Sequence, residues 1–194
     1  MSNLSRHPKL KAGVEMLVQT TRFGTVEIAE VDKLTFPEGL LGFAGLSNFV
    51  LLDDPQDEIF VWLQSCDNPG IAFPVLEPEL FFTSYQVQLA KTDLQGLDLS
   101  ANDTFRVFTI ITIPDDPTLM TANMKAPVVV NLKNRIARQC VLQDNSLQIR
   151  EPIFTALQQR LMTNPTGSIR SHARDMGVAI PVQKPTVKDP EAHS

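Results

Sequence analysis

Histidine is nearly missing from this chain of 194 residues: His7, His172 and His193 are the only three, and each lies towards an end. A Ser-His or Cys-His nucleophile pair therefore cannot be assembled in the middle of the chain, which removes the commonest hydrolytic chemistries. Cysteine is equally sparse. Cys66 and Cys140 sit in apolar stretches with no second cysteine or histidine near either, so both read as buried thiols and neither a metal site nor a structural disulfide is expected. There is no glycine-rich phosphate loop, no dinucleotide fingerprint and no CxxC or HExxH pattern. No apolar run reaches the roughly 18 residues that mark a membrane-spanning helix. The N-terminus, MSNLSRHPKLKAGVEMLVQ, lacks the basic region, apolar core and cleavage site of a signal peptide. These absences lead us to expect a cytoplasmic protein without cofactor, metal, membrane partner or catalytic activity.

Basic charge is scarce in one half of the chain. Residues 21–104 hold 14 acidic side chains against Arg22, Lys33 and Lys91, whereas residues 105–150 hold six basic against three acidic. A nucleic-acid binder presents a basic footprint, and this chain does the opposite, so no direct nucleic-acid contact is expected. The acids have two readings: they solvate the surface, or they draw in a basic protein partner and raise its association rate. Three adjacent carboxylate pairs stand out: Asp53 with Asp54, Asp57 with Glu58, and Asp115 with Asp116. Neighbours on a strand point to opposite faces and neighbours on a loop are solvated, so paired acid-base catalysis is not expected from them. The 53–58 stretch also lacks the ordered ligand spacing of a calcium loop.

Short strand-like stretches are plentiful. They occupy residues 17–28, 32–36, 49–52, 59–64, 71–76, 85–89, 105–113, 126–131, 136–142 and 146–150, with the clearest alternation in Tyr85-Gln86-Val87-Gln88-Leu89. Gly24 is expected to kink or bulge the first of them. Turn signals recur about every ten residues without intervening helical patterns, which predicts a mainly β fold, an antiparallel barrel-like domain or sandwich. One short helix is predicted at residues 92–97, with Thr92 as cap. A second is predicted at 152–162, with Pro152 at its first position and Ile153, Phe154, Leu157 and Leu161 at helical spacing. That apolar stripe either packs on the chain's own sheet or docks a partner. Beyond residue 168 the chain is polar and a largely mobile tail is expected.

Three motifs carry more information than composition. TFPEGLLGF at 35–43 sets Pro37 and Gly39 as turn formers around an exposed Glu38, with Phe36, Leu40, Leu41 and Phe43 as core. WLQSCDNPGIAF at 62–73 predicts a hairpin turning at Asp67-Asn68-Pro69-Gly70, with Trp62 in the core. TIPDDPTLMTANMKAPVVVN at 112–131 places a stiff, doubly proline-bracketed loop between two strands. In it Met120 and Met124 serve either as core fillers or as an adaptable contact surface, and Asn123 satisfies loop backbone groups.

Taken in order, these motifs resemble the flagellar assembly factor FliW family over about residues 16–152. The resemblance implies a division into an N-terminal extension (1–15), a mostly β domain (16–152) and a C-terminal extension (153–194). It also implies no catalysis. Similar proteins bind CsrA, a small RNA-binding translational repressor, and relieve its repression of flagellin synthesis; they also bind flagellin, so the two partners compete. The expected partners are therefore a CsrA-type translational regulator and flagellin, or flagellin alone if the protein is a chaperone without a translational role. Acidic loop residues Asp53, Asp54, Asp57 and Glu58 are the first candidates for contact, followed by Asp115, Asp116, Met120 and Asn123. The chain departs from the family pattern near Leu147, where many members carry tyrosine, and in continuing more than forty residues past Arg150.

Overall fold

The computed structural model describes residues 14–54, 56, 59–163 and 179–182. Strand β1 (Glu15–Thr20) and β2 (Gly24–Ala29) form an antiparallel hairpin rather than one kinked strand. Gly24 has φ of 70°, which only glycine adopts at little cost, and the Thr20 hydroxyl accepts from the Phe23 N–H while donating to the Gly24 carbonyl. The glycine thus closes a tight turn where a bulge was expected.

The main sheet is built from β3 (Leu34–Thr35), β4 (Asn48–Asp53), β5 (Val61–Ser65), β6 (Ala72–Leu76), β7 (Phe105–Thr112), β8 (Thr121–Ala122), β9 (Val128–Asn131), β10 (Ala137–Gln139), β11 (Glu151–Pro152) and β12 (Ala179–Pro181). Its path runs β10-β9-β7-β6-β5-β4-β12, antiparallel throughout except where β12 lies parallel to β4. β3 and β12 share one edge of β4, opposite Asn48–Phe49 and Leu51–Asp53 respectively. The sheet curls until its two ends meet at a single bridge, Thr35 to Ile136, with the Thr35 N–H donating to the Arg135 carbonyl at 2.9 Å. No ladder closes the ring, so the architecture is an open curled sheet. Pro74 sits on β6 where β7 does not reach, since β7 pairs with β6 only at Val75 and Leu76; its missing N–H breaks no bond on that side.

The strand period of two divides the core between both faces of this sheet. Phe49, Leu51, Val61, Leu63 and Val75 turn to the concave side, where Phe36, Phe108 and Val130 join them. Val50, Leu52, Trp62 and Leu76 turn the other way, under Val18, Val26 and Ile28 of the hairpin. Burial of each such side chain contributes about 1.5–3 kcal/mol, and β4 and β5 collect it on both faces.

The helices lie close to their expected places. α1 (Lys91–Gly96) begins at Ala90, which has no capping side chain; the Asp93 carboxylate instead accepts from the Ala90 N–H, so Thr92 is not the cap. α2 (Phe154–Thr163) starts two residues beyond Pro152, which pairs with Thr121 in the sheet. Ile153 and Leu157 pack into the core, while Leu161 and Met162 stay exposed. Within the stretch expected to be a polar tail, Ala179–Pro181 form a strand; residues 164–178 and 183–194 lie outside the described residues. Two expected strands are absent. Residues 85–89 alternate in burial as expected yet pair with no strand, and residues 146–150 form turns ahead of the short β11.

Candidate partner-binding surface

The acidic residues nominated from sequence occupy two separate loops. β4 and β7 run in opposite directions, so the connections that follow them leave the sheet at opposite ends. At the first, Asp53 is carried into the sheet as the last residue of β4 and is only 3% exposed. Asp54 is half-buried and its Oδ1 accepts from the Gln56 N–H at 2.9 Å, a local turn. Asp57 and Glu58 lie outside the described residues.

At the second loop Asp115 and Asp116 are exposed between the two prolines. The Asp116 carboxylate accepts from the Thr118 hydroxyl at 2.6 Å and its N–H at 2.9 Å, capping a three-residue 3-10 turn, Pro117–Leu119. Those bonds hold its carboxyl below the usual value, so it stays ionised near neutrality. Met120 is buried in the core, and Asn123 is half-buried with its Oδ1 accepting from the Ala126 N–H at 3.0 Å. Asp53 and Met120 thus lack the exposure that direct contact needs, while Asp54, Asp115 and Asp116 have it. Sequence reasoning missed the apolar partners of this second loop. Ile113 and Leu119 flank the acids, with Leu119 65% exposed, and α2 packs on the same 3-10 turn with Met162 75% exposed. No local signal marked Leu119 as exposed, since Pro78–Leu80, a 3-10 turn of the same length that also opens on proline, buries its last side chain, Leu80, to 3% exposure.

The three motifs mostly hold the fold. In the first, Gly39 has φ of 68°, and a Cβ there would lie 2.5 Å from the Phe43 carbonyl oxygen, so only glycine fits. Exposed Glu38 receives the Arg138 guanidinium, whose Nε also reaches the Asp93 carboxylate at 3.1 Å; one arginine thus joins this loop to α1. Leu41, expected in the core, is 59% exposed, and its N–H donates to the Gln139 side-chain oxygen at 3.0 Å. In the second motif Ser65 Oγ accepts from the N–H groups of Asp67 and Asn68, and Asn68 Oδ1 from that of Gly70, which fixes the predicted hairpin turn. Trp62 is 8% exposed, with the Arg22 guanidinium 3.6 Å over its ring.

The cysteines are poor nucleophiles in this setting. Cys140 is buried, but Cys66 is half-buried, contrary to expectation, because it stands just past the end of β5. Burial pushes the Cys66 thiol up to about 11 and that of Cys140 up to about 12, so both are protonated at neutral pH. No cluster of three or more His, Cys, Asp or Glu side chains suited to a metal ion occurs among the described residues. Nor is any helix among them long and apolar enough to cross a membrane.

A small curled β-sheet whose polar side chains cap turns, and whose exposed acids and apolar residues gather on loops, defines the class as a mainly β domain with an open, curled sheet. Its family follows from comparison. The FliW protein family model matches residues 17–153, and the chain belongs to the FliW family of flagellar assembly factors. It is 63% identical over 164 residues to the flagellar assembly factor FliW of Bdellovibrio bacteriovorus, covering 84% of this chain and 94% of that one. The FliW of Thermoanaerobacter pseudethanolicus is 35% identical over 144 residues, covering 74% of this chain and 96% of its own length. A crystal structure of the flagellar assembly factor FliW superposes with a TM-score of 0.67 at 29% identity, covering 72% of this chain and 97% of that one.

Proposed function

We propose that this chain acts in flagellar assembly as a stoichiometric, cytoplasmic, protein-binding antagonist: it sequesters a CsrA-type translational regulator, relieving repression of flagellin synthesis, and it releases that regulator when flagellin occupies it. The observation that carries this reading is the charge of the first part of the family domain, 14 acidic against three basic residues over 21–104, which suits a basic RNA-binding partner. Asp54, Asp57 and Glu58 after β4 are the leading contact residues, with Asp115 and Asp116 second. Calorimetric titration against the regulator, with and without flagellin, tests the proposal: stoichiometric binding at low salt that flagellin abolishes is the expected result. Failure to bind either protein overturns it. Charge reversal at Asp54, Asp57 and Glu58 should slow association and flatten its salt dependence, and an unchanged on-rate removes that loop from the interface.

The exposed Leu161 and Met162 on α2 favour a second reading, a flagellin chaperone without a translational role that docks its client on this helix. Binding of flagellin alone, lost in Leu161→Ser with Met162→Ser, would select it.

A further inference from the structure

Residues 85–89 follow a turn at Thr83 and Ser84, and their backbone pairs with no strand among the described residues. The segment is nevertheless held in place. The Phe82 N–H donates to the Pro78 carbonyl at 2.8 Å, the Ala90 N–H to the Asp93 carboxylate at 3.2 Å, and the Tyr85 hydroxyl to the Met124 carbonyl at 2.7 Å. Tyr85, Val87 and Leu89 are half-buried while Gln86 and Gln88 are exposed, so one face is already packed as a strand's would be. An anchored strand with an unpaired edge is a template for another strand.

A groove of about 880 Å³ runs beside it, walled on the far side by part of the stretch 142–148. Both Tyr85 and Leu89 and the alternate residues Ser84, Gln86 and Gln88 line it, as happens when a groove follows the edge of a strand instead of one of its faces. Asp144 and Glu151 line it too, and no lysine, arginine or histidine does. The Ser146 N–H and hydroxyl donate to the Asp144 carboxylate at 2.8 and 2.7 Å and keep it ionised.

We propose that this groove binds an extended segment of a partner protein, which adds as a strand along residues 85–89 and sets lysine or arginine side chains, alternating with apolar ones, against Asp144 and Glu151. The occupant is basic because both charged side chains that line the groove are acidic, while Lys125 beside it is held to the Asp144 carbonyl at 2.6 Å. A second copy of this chain, with net charge −5, is the poorer fit.

Amide hydrogen exchange of the full chain followed by NMR tests this, with a pool of heptapeptides in which lysine or arginine alternates with valine, isoleucine or leucine, and a glutamate-containing pool as control. Amides of 86–89 should exchange fast in the free chain, and alternate ones should slow by at least about tenfold with the basic pool only, the effect of one or two added hydrogen bonds. Gln86→Pro with Gln88→Pro removes the donors of one edge and Val87→Pro a donor of the other. One of the two variants should abolish the protection, whereas Gln86→Ala with Gln88→Ala should keep it. Exchange elsewhere in the sheet reports that each variant is folded. Absence of protection with the basic pool, equal protection with the acidic pool, or insensitivity to both proline variants overturns the proposal. So does protection already present in the free chain, which would make the occupant the chain's own residues 1–13 or 183–194 if deleting them removed it, or a second copy if dilution did.

Discussion

Strand β5 and the segment 85–89 are both five-residue stretches that the sequence marks as strands, and they end up in opposite situations. Val61–Ser65 lie in the middle of the sheet, buried on both faces and paired on both sides, so their burial shows no alternation. Tyr85–Gln86–Val87–Gln88–Leu89 alternate cleanly and pair with no strand among the described residues. Alternation therefore reports that one face is wet, and nothing about whether the backbone finds a partner. A pairing partner is a non-local property, decided by where the rest of the chain passes.

The contrast can be sharpened by measurement. Trp62→Ala on β5 should lower unfolding free energy by roughly 3–5 kcal/mol in denaturant titrations, because a buried ring on a doubly covered strand leaves a cavity. A loss below 1 kcal/mol would mean the central strand is no more tightly held than the unpaired one. Next comes alkaline titration of the thiols beside the sheet. Unfolded, Cys66 and Cys140 ionise near 9.0; folded, they hold their protons to about 11 and about 12. Their contribution is fully present below pH 9.0 and is lost as pH rises through the folded values, so thermal stability should fall over that window, and fall less in Cys140→Ala than in the parent chain. In the unpaired segment the effects should be smaller. Tyr85→Phe deletes the one bond from that ring to Met124 and should destabilise by about 1 kcal/mol. Gln86→Ala and Gln88→Ala should change the unfolding free energy by no more than about 0.5 kcal/mol in denaturant titrations, since both side chains are exposed and the fold does not rest on them.

Much of the fold was legible because local chemistry determined it. Asp67-Asn68-Pro69-Gly70 gave the β5–β6 turn, and the helical spacing of Ile153 and Leu157 gave α2 within two residues of its start. What was illegible depended on distant partners. Gly24 signals a special backbone angle in a bulge and in a turn alike, and only the antiparallel register of Val18 with Val26 distinguishes them. The Arg138 contacts with Glu38 and Asp93 join strand β10, a loop and helix α1, all far apart in sequence, and no single stretch announces them. Of the nominated contact residues, Asp53 and Met120 read as loop residues yet are buried, because the strand before Asp53 runs one residue longer than its composition suggests and Met120 follows directly on a turn that reverses the chain into the core.

The short parallel strand β12 also bears on how the molecule is made. Ala179 pairs with Leu51, so well over half of the polypeptide separates the two halves of that ladder. At a translation speed of about 5–20 residues per second, the β4 edge waits roughly ten seconds after leaving the ribosome for its last neighbour to be synthesised. During that interval β3 covers only Asn48 and Phe49 of this edge, and Leu51–Asp53 wait for the strand that completes it.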